Sequence, residues 1–261
     1  MAIELAGRTA LVTGASSGIG AATAQALAAR QVRLGLLARR EDRLAEVADR
    51  CIALGAPEVR ILGADLADLG SLESVVNAAE DHLDGIDVLV NNAGRPMRRR
   101  VAELTPAEVE LTMAVNYFAP VRLTLLALPH MLRRGSGCVV NVSSVGGRIP
   151  ITGEAAYCGS KAALCGFSET LAVELAGTGV DVRLIIPGPI DTEIWDQPGQ
   201  DDHFYDGELE PPSTVADGIV AAMEGDRIEH WLPDLEPVAR IKYADLDGFV
   251  ASMVEATTAD P

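Results

Sequence analysis

The chain has 261 residues, 48% of them hydrophobic, which is enough to bury a substantial core and too many for a globally disordered protein. Its 38 acidic and 21 basic residues give a formal charge of −17, which argues against a protein that binds nucleic acid or an anionic membrane. Most of the excess negative charge lies after residue 190, and we interpret that segment as a solvated acidic surface, with a partner-binding surface as the alternative.

Short apolar runs alternate with helical patterns through the first two-thirds of the chain. The predicted strands are TALVT (9–13), VRLGLL (32–37), VRIL (59–62), DVLV (87–90), CVVNV (138–142) and VDVRLII (180–186). The helical patterns cover residues 18–30, 41–54, 69–83, 105–132 and 157–176. This alternation predicts a single α/β domain, a Rossmann-type doubly wound parallel sheet with helices on both faces.

A glycine-rich turn, TGASSGIG (13–20), links the first strand to the first helix. Glycine allows a tight turn and close backbone approach, and a helix N-terminus offers free N–H groups, so this turn is suited to cradle a diphosphate. Its spacing, G-x-x-x-G-x-G, differs from the usual G-x-G-x-x-G, and the alternative is a tight connection that holds no ligand. The predicted dinucleotide contacts in the turn are Gly14, Ser16, Ser17, Gly18, Ile19 and Gly20.

The end of the second strand predicts which dinucleotide is bound. Ala38 stands where a protein that prefers NAD usually has an acid for the ribose hydroxyls, and Arg39 and Arg40 follow it. Guanidinium groups suit a 2′-phosphate, so we predict NADP (NADPH) in preference to NAD, with Arg39 as the main contact. The alternative is that these arginines, Arg40 in particular, form the solvated start of the next helix.

The turns after the third and fourth strands are expected to complete the cofactor site. Asp65 and Leu66 are placed to cap the adenine end, and NNAG (91–94) would pass close to the cofactor through Asn92, Ala93 and Gly94. RPMRRR (95–100) follows, either as a solvated loop or as a group of cations for an acidic substrate. Thr105, Pro106 and Glu108 then have the pattern of a capped helix start.

Four polar side chains further along the chain are candidates for chemistry. YCGSK (157–161) places Tyr157 and Lys161 one helical turn apart, so the ammonium is expected to lower the pKa of the phenol, the alternative being an ordinary helix pair. Ser144, at the end of the fifth strand, is placed to hold a substrate oxygen. Asn116 interrupts an apolar helix, either as a satisfied core amide or as the ligand of a water that contacts Lys161.

Together these motifs resemble the short-chain dehydrogenase/reductase family in its compact single-domain branch. The resemblance covers about residues 7–192 and rests on TGASSGIG, NNAG, Asn116, Ser144, YCGSK and PGPIDT (187–192), in order and at matching intervals. It implies that Tyr157 is the catalytic acid/base and that Lys161 lowers its pKa and holds the nicotinamide ribose. It also implies that Ser144 orients the substrate carbonyl and that Asn116 completes a proton relay through water. The implied contacts to the nicotinamide carboxamide are Pro187, Gly188, Ile190 and Thr192.

The resemblance divides the chain into two parts of one domain. Residues 1–192 are the expected dinucleotide-binding and catalytic core, and residues 193–261 the substrate loop and C-terminal extension. The loop 193–212 is interpreted as a lid, with disorder as the alternative, and its aromatic residues either line an apolar pocket or anchor the loop: Trp195, Phe204 and Tyr205. IEHWLP (228–233) is the candidate last strand, but the tail beyond it departs from the glycine-rich end of many family members, which leaves tetramer geometry and the substrate pocket open.

The resulting functional prediction is an NADP(H)-dependent oxidoreductase that interconverts a ketone or aldehyde and an alcohol, as a homodimer or homotetramer. The alternative is a catalytically inactive protein that senses the dinucleotide. Ser143 or Ser144 as a hydrolase nucleophile has no supporting elbow motif. The histidines show no metal-binding spacing, and Asp202 with the adjoining histidine is interpreted as solvated: His82, His130, His203 and His230.

The cysteines and the apolar runs predict a soluble cytoplasmic protein. No CxxC pair occurs among the four cysteines, which favours reduced thiols: Cys51, Cys138, Cys158 and Cys165. The start of the chain carries Glu4 and no basic leader, so no signal peptide is expected. The best candidate for a membrane span, residues 115–132, contains Arg122 and His130, so no membrane association is predicted.

Overall fold

The structure, a computed structural model, describes residues 3–202 and 205–258. One parallel sheet has the strand order β3-β2-β1-β4-β5-β6-β7. Its strands are β1 (Thr9–Thr13), β2 (Arg33–Ala38), β3 (Val59–Gly63), β4 (Val88–Asn91), β5 (Gly137–Val142), β6 (Val180–Pro187) and β7 (Glu229–Leu232). The six predicted strands are confirmed to within a residue at each end, and β7 lies inside IEHWLP.

Helices cover both faces of the sheet. They are α1 (Gly18–Ala28), α2 (Glu41–Ala53), α3 (Leu72–Leu83), α4 (Pro106–Met113), α5 (Ala119–Arg134), α6 (Ala155–Glu174), α7 (Pro212–Glu224), α8 (Glu236–Ala244) and α9 (Leu246–Thr258). Buried side chains of α1, α2 and α7 pack in one core, whereas those of α3, α5 and α6 pack in another. The doubly wound α/β architecture predicted from the sequence is therefore confirmed.

Alternate residues of the same strands contribute to the two cores. In β1, Ala10 and Val12 pack against α1 and α7, whereas Leu11 packs on the opposite face. In β4, Val88 and Leu89 divide in the same way. Successive side chains of a strand point to opposite faces, and both faces here are covered, which explains why these strands are continuously apolar.

The long helix after β4 is interrupted by a π-helical turn at Ala114–Phe118, which contains Asn116. The predicted capping box at its start is present, with reciprocal hydrogen bonds between Thr105 and Glu108. By length and composition alone, the continuous helix Pro106–Arg134 could span a membrane. Its inner side chains, among them Leu123 and Met131, are buried against the sheet, so we assign it as a core helix.

Residues after 192 continue the same packing. β7 extends the sheet beside β6, and α7 packs against α1 in the first core. Helices α8 and α9 contribute to a third buried cluster that includes Ile149, Trp231 and Phe249. Helices α7, α8 and α9 follow the region in which the sequence no longer shows a regular alternation of strands and helices, and they were not predicted.

Candidate active site

A cleft of about 1750 Å³ runs along the carboxyl ends of the strands. Parallel strands place the turns that follow them at one edge of the sheet, which is where ligands bind in folds of this type. The predicted residues that line the cleft are Gly14, Ser16, Ser17, Gly18, Ile19, Arg39, Arg40, Asp65, Leu66, Asn92, Ala93, Gly94, Ser144, Tyr157, Lys161, Pro187, Gly188, Ile190 and Thr192. Gly20 and Asn116 lie outside this lining set.

The glycine turn has the shape that a diphosphate cradle needs. Gly14 and Gly18 have φ angles of 65° and 53°, which few residues other than glycine adopt. A Cβ on Gly14 would lie 2.9 Å from the Cα of Ala93, and a Cβ on Gly20 would lie 2.3 Å from the Gly14 carbonyl oxygen. Among the described residues no side chain caps the N-terminus of α1, so its first N–H groups are free to bind an anion. The turn therefore fits a dinucleotide, and Gly20 serves close packing behind it.

Arg39 and Arg40 have different surroundings. Arg40 donates hydrogen bonds to Ser16 Oγ (3.2 Å) and Ser17 Oγ (2.9 Å), and its Nη1 lies 2.7 Å from a carboxylate oxygen of Glu193. The hydrogen bond from Arg40 is the main reason that the pKa of Glu193 is lowered. Arg39 is exposed at the cleft, and its guanidinium contacts no partner within the described ranges. Arg40 is therefore a tether between the glycine turn and the loop after β6, and Arg39 is the cation left for a ligand.

Tyr157, Lys161 and Ser144 meet in the cleft. Tyr157 and Lys161 lie on the first turns of α6, with Lys161 Nζ 5.8 Å from the centre of the Tyr157 ring. Lys161 is buried and its Nζ donates a 2.9 Å hydrogen bond to the carbonyl oxygen of Val142, at the end of β5. Ser144 follows β5, and its Oγ accepts a hydrogen bond from the N–H of Gly146 (3.1 Å). A phenol, an ammonium group and a hydroxyl group therefore lie together at one edge of the sheet.

The pKa of Tyr157 is raised in this structure, not lowered as the sequence predicted. Desolvation in the cleft raises it most, an interaction with the Ser144 hydroxyl lowers it in part, and the charge of Glu154 raises it further. Lys161 is not among the causes; its own pKa is lowered to about 8 by burial, and its Nζ is bonded to the Val142 carbonyl. Tyr157 is therefore protonated at neutral pH, the form that donates a proton to a substrate oxygen.

Asn116 is a satisfied core amide. Its side chain accepts a hydrogen bond from the Arg95 N–H (2.7 Å) and donates to the Arg95 carbonyl (2.9 Å) and to Ser160 Oγ (3.0 Å). These contacts fix the segment that follows NNAG against α6. Of the two interpretations of Asn116, the structure favours the core amide, and a water relay stays a prediction.

The loop after β6 is held over one end of the cleft by Arg98. The residue is only 5% exposed, and its guanidinium donates hydrogen bonds to the carbonyls of Ile194, Trp195 and Asp201. Arg99 pairs with Glu108 at 2.6 Å and donates to the Gly199 carbonyl. RPMRRR is therefore neither a solvated loop nor a free cationic site at these two positions.

The aromatic residues of this loop face the cleft. Trp195 and Tyr205 both line it, with stacked rings 6.3 Å apart, and the indole N–H of Trp195 donates to the Ile190 carbonyl at 2.6 Å. Phe204 and His203 lie outside the described residues. Asp202 is exposed at the cleft, in agreement with a solvated side chain.

The alternative chemistries find no support in the described part of the chain. Ser143 Oγ donates to the Lys161 carbonyl (3.0 Å), and no histidine lines the cleft among those residues, so a serine nucleophile has no histidine base there. No group of three or more histidine, cysteine or acidic side chains there is placed to bind a metal.

Two residues of the cleft, Glu154 and Glu193, were missed by the sequence reasoning, and so was the role of Arg98, although RPMRRR was singled out. Glu154 carries a local signal, because it lies three residues before Tyr157 at the start of the same helix. Arg98 and Glu193 carry none, since their roles depend on the loop after β6 meeting the turns after β1 and β4.

Comparison with known proteins agrees with this geometry. The family model described as short chain dehydrogenase matches residues 8–203. The chain is 32% identical over 225 residues to the ketoacyl reductase HetN of Nostoc sp., covering 86% of this chain and 78% of that protein. It is 37% identical over 194 residues to nodulation protein G of Rhizobium meliloti, covering 74% and 78% of the two chains.

Two similar solved structures contain nicotinamide cofactors. A short-chain dehydrogenase from Sphingobium yanoikuyae in complex with NADPH has a TM-score of 0.80 and 31% identity, over 97% of this chain and 96% of that one. A short-chain dehydrogenase/reductase from Burkholderia phymatum in complex with NAD has a TM-score of 0.86 and 25% identity, over 94% and 96%. With its glycine turn and its Ser144, Tyr157 and Lys161 in one cleft, the chain belongs to the short-chain dehydrogenase/reductase family and is an NAD(P)-dependent oxidoreductase.

Proposed function

We propose that this protein is an NADP(H)-dependent oxidoreductase that interconverts a ketone or aldehyde and an alcohol, with Tyr157 as general acid/base. The observation that carries the proposal is that Tyr157, Ser144 and Lys161 lie in the same cleft as the glycine turn and the unpaired Arg39. The similarity to the ketoacyl reductase HetN and to a short-chain dehydrogenase in complex with NADPH supports it.

The residues of the cleft have different roles in the proposed reaction. The nicotinamide, when bound, supplies or accepts the hydride. Ser144 Oγ holds the substrate oxygen by hydrogen bonding, and the protonated Tyr157 gives its proton to that oxygen as negative charge develops on it. The apolar side chains of Val145, Ile149 and Trp195 line the cleft and limit the entry of water, which strengthens these polar contacts.

The test is consumption of NADPH at neutral pH with a panel of ketones and aldehydes of graded size. We expect turnover with part of the panel, recovery of the matching alcohols, and the reverse reaction with NADP⁺ at higher pH. NADPH binding with no turnover across the panel would instead favour a protein that senses the dinucleotide.

Replacement of Arg39 tests the NADP assignment. Charge-assisted hydrogen bonds to a phosphate are worth about 1.5–3 kcal/mol, so Arg39→Ala is expected to lower the ratio of kcat/KM for NADPH to that for NADH roughly 10- to 100-fold. Arg40→Ala is the matched control, and a smaller change is expected because Arg40 is already paired with Glu193. Equal kcat/KM values for the two cofactors in the wild-type protein would contradict the assignment.

We also propose that the protein is a homo-oligomer that associates through the long helix. Phe118, at the end of the π-helical turn, and Leu125 and Leu132 on α5 are exposed at seven-residue intervals, which places them in one apolar stripe along this helix. Phe118→Asp combined with Leu125→Asp is expected to reduce the molar mass in light scattering to that of one chain. Ile52→Asp, which changes an exposed apolar residue on α2, is the control. A wild-type protein that is already monomeric would contradict the proposal.

A further inference from the structure

An ion pair between Arg40 and Glu193 joins two distant parts of the cleft. Arg40 follows β2 and Glu193 follows β6, and in the sheet these two strands are separated by β1, β4 and β5. Arg40 Nη1 lies 2.7 Å from a carboxylate oxygen of Glu193, and both residues line the cleft. The loop after β6 therefore extends to the end of β2, the place where the ribose that carries the 2′-phosphate is expected.

The backbone beside Glu193 is anchored to the rest of the protein. The N–H of Asp191 donates a 2.8 Å hydrogen bond to the carbonyl of Glu210. The side chain of Thr192 packs against the glycine turn, since a Cβ on Gly18 would lie 2.9 Å from its Cγ2 atom. These contacts place Glu193 next to the glycine turn, within reach of the arginine after β2.

The groups around the Glu193 carboxylate are those expected to bind an anion. Besides the ion pair, Arg40 donates hydrogen bonds to Ser16 Oγ (3.2 Å) and Ser17 Oγ (2.9 Å). The hydrogen bond from Arg40 lowers the pKa of Glu193 most, desolvation opposes it, and the charge of Arg43 and a hydrogen bond from Ser17 lower it further. Glu193 is therefore ionised at neutral pH, with two guanidinium groups and a hydroxyl group acting on it.

We propose that Glu193 is a specificity-determining residue for the cofactor, because its carboxylate competes with the 2′-phosphate of NADP for Arg40 and Ser17. A phosphate monoester carries about −1.5 to −2 charges near neutral pH and has three acceptor oxygens, so it is the stronger partner for these donors. The side chains of Arg40 and Glu193 are 43% and 45% exposed, and exposed ion pairs are weak, so the phosphate is able to replace the carboxylate.

Glu193 thus acts against Arg39 in the choice of cofactor. Arg39 favours NADP, whereas Glu193 neutralises the neighbouring Arg40 and places a negative charge where the phosphate binds. NAD has no 2′-phosphate and leaves the ion pair intact. The inference rests on the proposed function, because it takes the 2′-phosphate to lie at the end of β2.

Calorimetric titration with two fragments of the cofactors tests this inference: adenosine 2′,5′-bisphosphate, which has the 2′-phosphate, and adenosine 5′-monophosphate, which lacks it. The dissociation constant of the monophosphate divided by that of the bisphosphate measures the preference for the 2′-phosphate. In Glu193→Gln this ratio is expected to rise roughly 3- to 10-fold, because the substitution frees Arg40 and removes a repulsion between like charges. Asp196→Asn, at an exposed position of the same loop outside the cleft lining, is the control and is expected to keep the wild-type ratio.

Arg40→Ala distinguishes competition for Arg40 from a general effect of charge. In the wild-type protein this substitution is expected to change the ratio little, because Arg40 is already paired with Glu193. In the Glu193→Gln variant it is expected to abolish most of the gain. A gain that survives Arg40→Ala would contradict the competition.

An unchanged or lower ratio in Glu193→Gln would overturn the role of Glu193. Equal binding of the two fragments by the wild-type protein, with a preference for the bisphosphate in Glu193→Gln, would support that role and contradict the NADP assignment. Binding of neither fragment by either protein would contradict the inference, while turnover of the carbonyl panel would still decide the proposed reaction. Because the measurement is of binding, a protein that reduces no carbonyl compound is tested in the same way.

Discussion

Tyr157→Phe is expected to lower kcat for carbonyl reduction by about 10²- to 10⁴-fold, the range typical of a lost general acid. The substitution removes one hydroxyl and keeps the ring, so the cleft, Ser144 and the glycine turn are preserved. The dissociation constant for NADPH, measured by fluorescence titration, is expected to change far less than kcat. The large effect is expected because the Tyr157 hydroxyl is protonated and interacts with the Ser144 side chain in the cleft.

The matched control is Tyr243→Phe, on the exposed side of α8. It deletes the same atom far from the reacting groups and is expected to leave kcat within a factor of two or so, as is usual for surface substitutions. Full activity in Tyr157→Phe would show that another group supplies the proton.

Local features of the chain were predictable because short-range physics determines them. The central strands are apolar on both faces, so alternation of apolar runs with helical patterns was sufficient to predict the sheet to within a residue. The glycine turn was predictable for the same reason, since positive φ at Gly14 and Gly18 is a local property of the backbone. The third buried cluster, where α8 and α9 pack near Trp231, depends on how the tail folds back and gave no such signal.

Contacts between distant segments explain most of what was missed in the site. Arg98 and Glu193 acquire their roles only when the loop after β6 folds over the turns that follow β1 and β4. The predicted effect of Lys161 on the pKa of Tyr157 failed for a different reason. The spacing of Lys161 from Tyr157 was predicted correctly, but helical spacing says nothing about burial, and burial raises the pKa of Tyr157 and lowers the pKa of Lys161.

The burial of Lys161 leads to a second prediction, on stability. Desolvation lowers the pKa of Lys161 from 10.5 to about 8, so between these pH values the unfolded chain binds a proton that the folded chain does not. Stability therefore rises with pH through this window, and the penalty for burying the ammonium is present in full below about pH 8. Lys161→Met removes the penalty together with the hydrogen bond to Val142, whose loss is the same at every pH.

We therefore expect the free energy of unfolding of the wild-type protein, relative to Lys161→Met, to increase by about 3 kcal/mol between pH 7 and pH 10.5. The buried thiols of Cys51 and Cys138 titrate with the opposite sign, because burial raises their pKa, but they are common to both proteins and cancel in the difference. This difference in the free energy of unfolding is measured by urea unfolding of both proteins without cofactor at a series of pH values. Lys242→Met is the control for the loss of one positive charge.

A difference that does not vary with pH would show that Lys161 keeps its proton in the folded chain, and would contradict the prediction. Lys161→Met also distinguishes the effect of Lys161 on stability from its effect on the reaction. If Lys161→Met is at least as stable as the wild-type protein at pH 7 but has lost turnover, the ammonium contributes to the reaction at the expense of the fold. That combination is expected of a cation buried beside a phenol at a functional site, since side chains placed for packing alone are seldom charged.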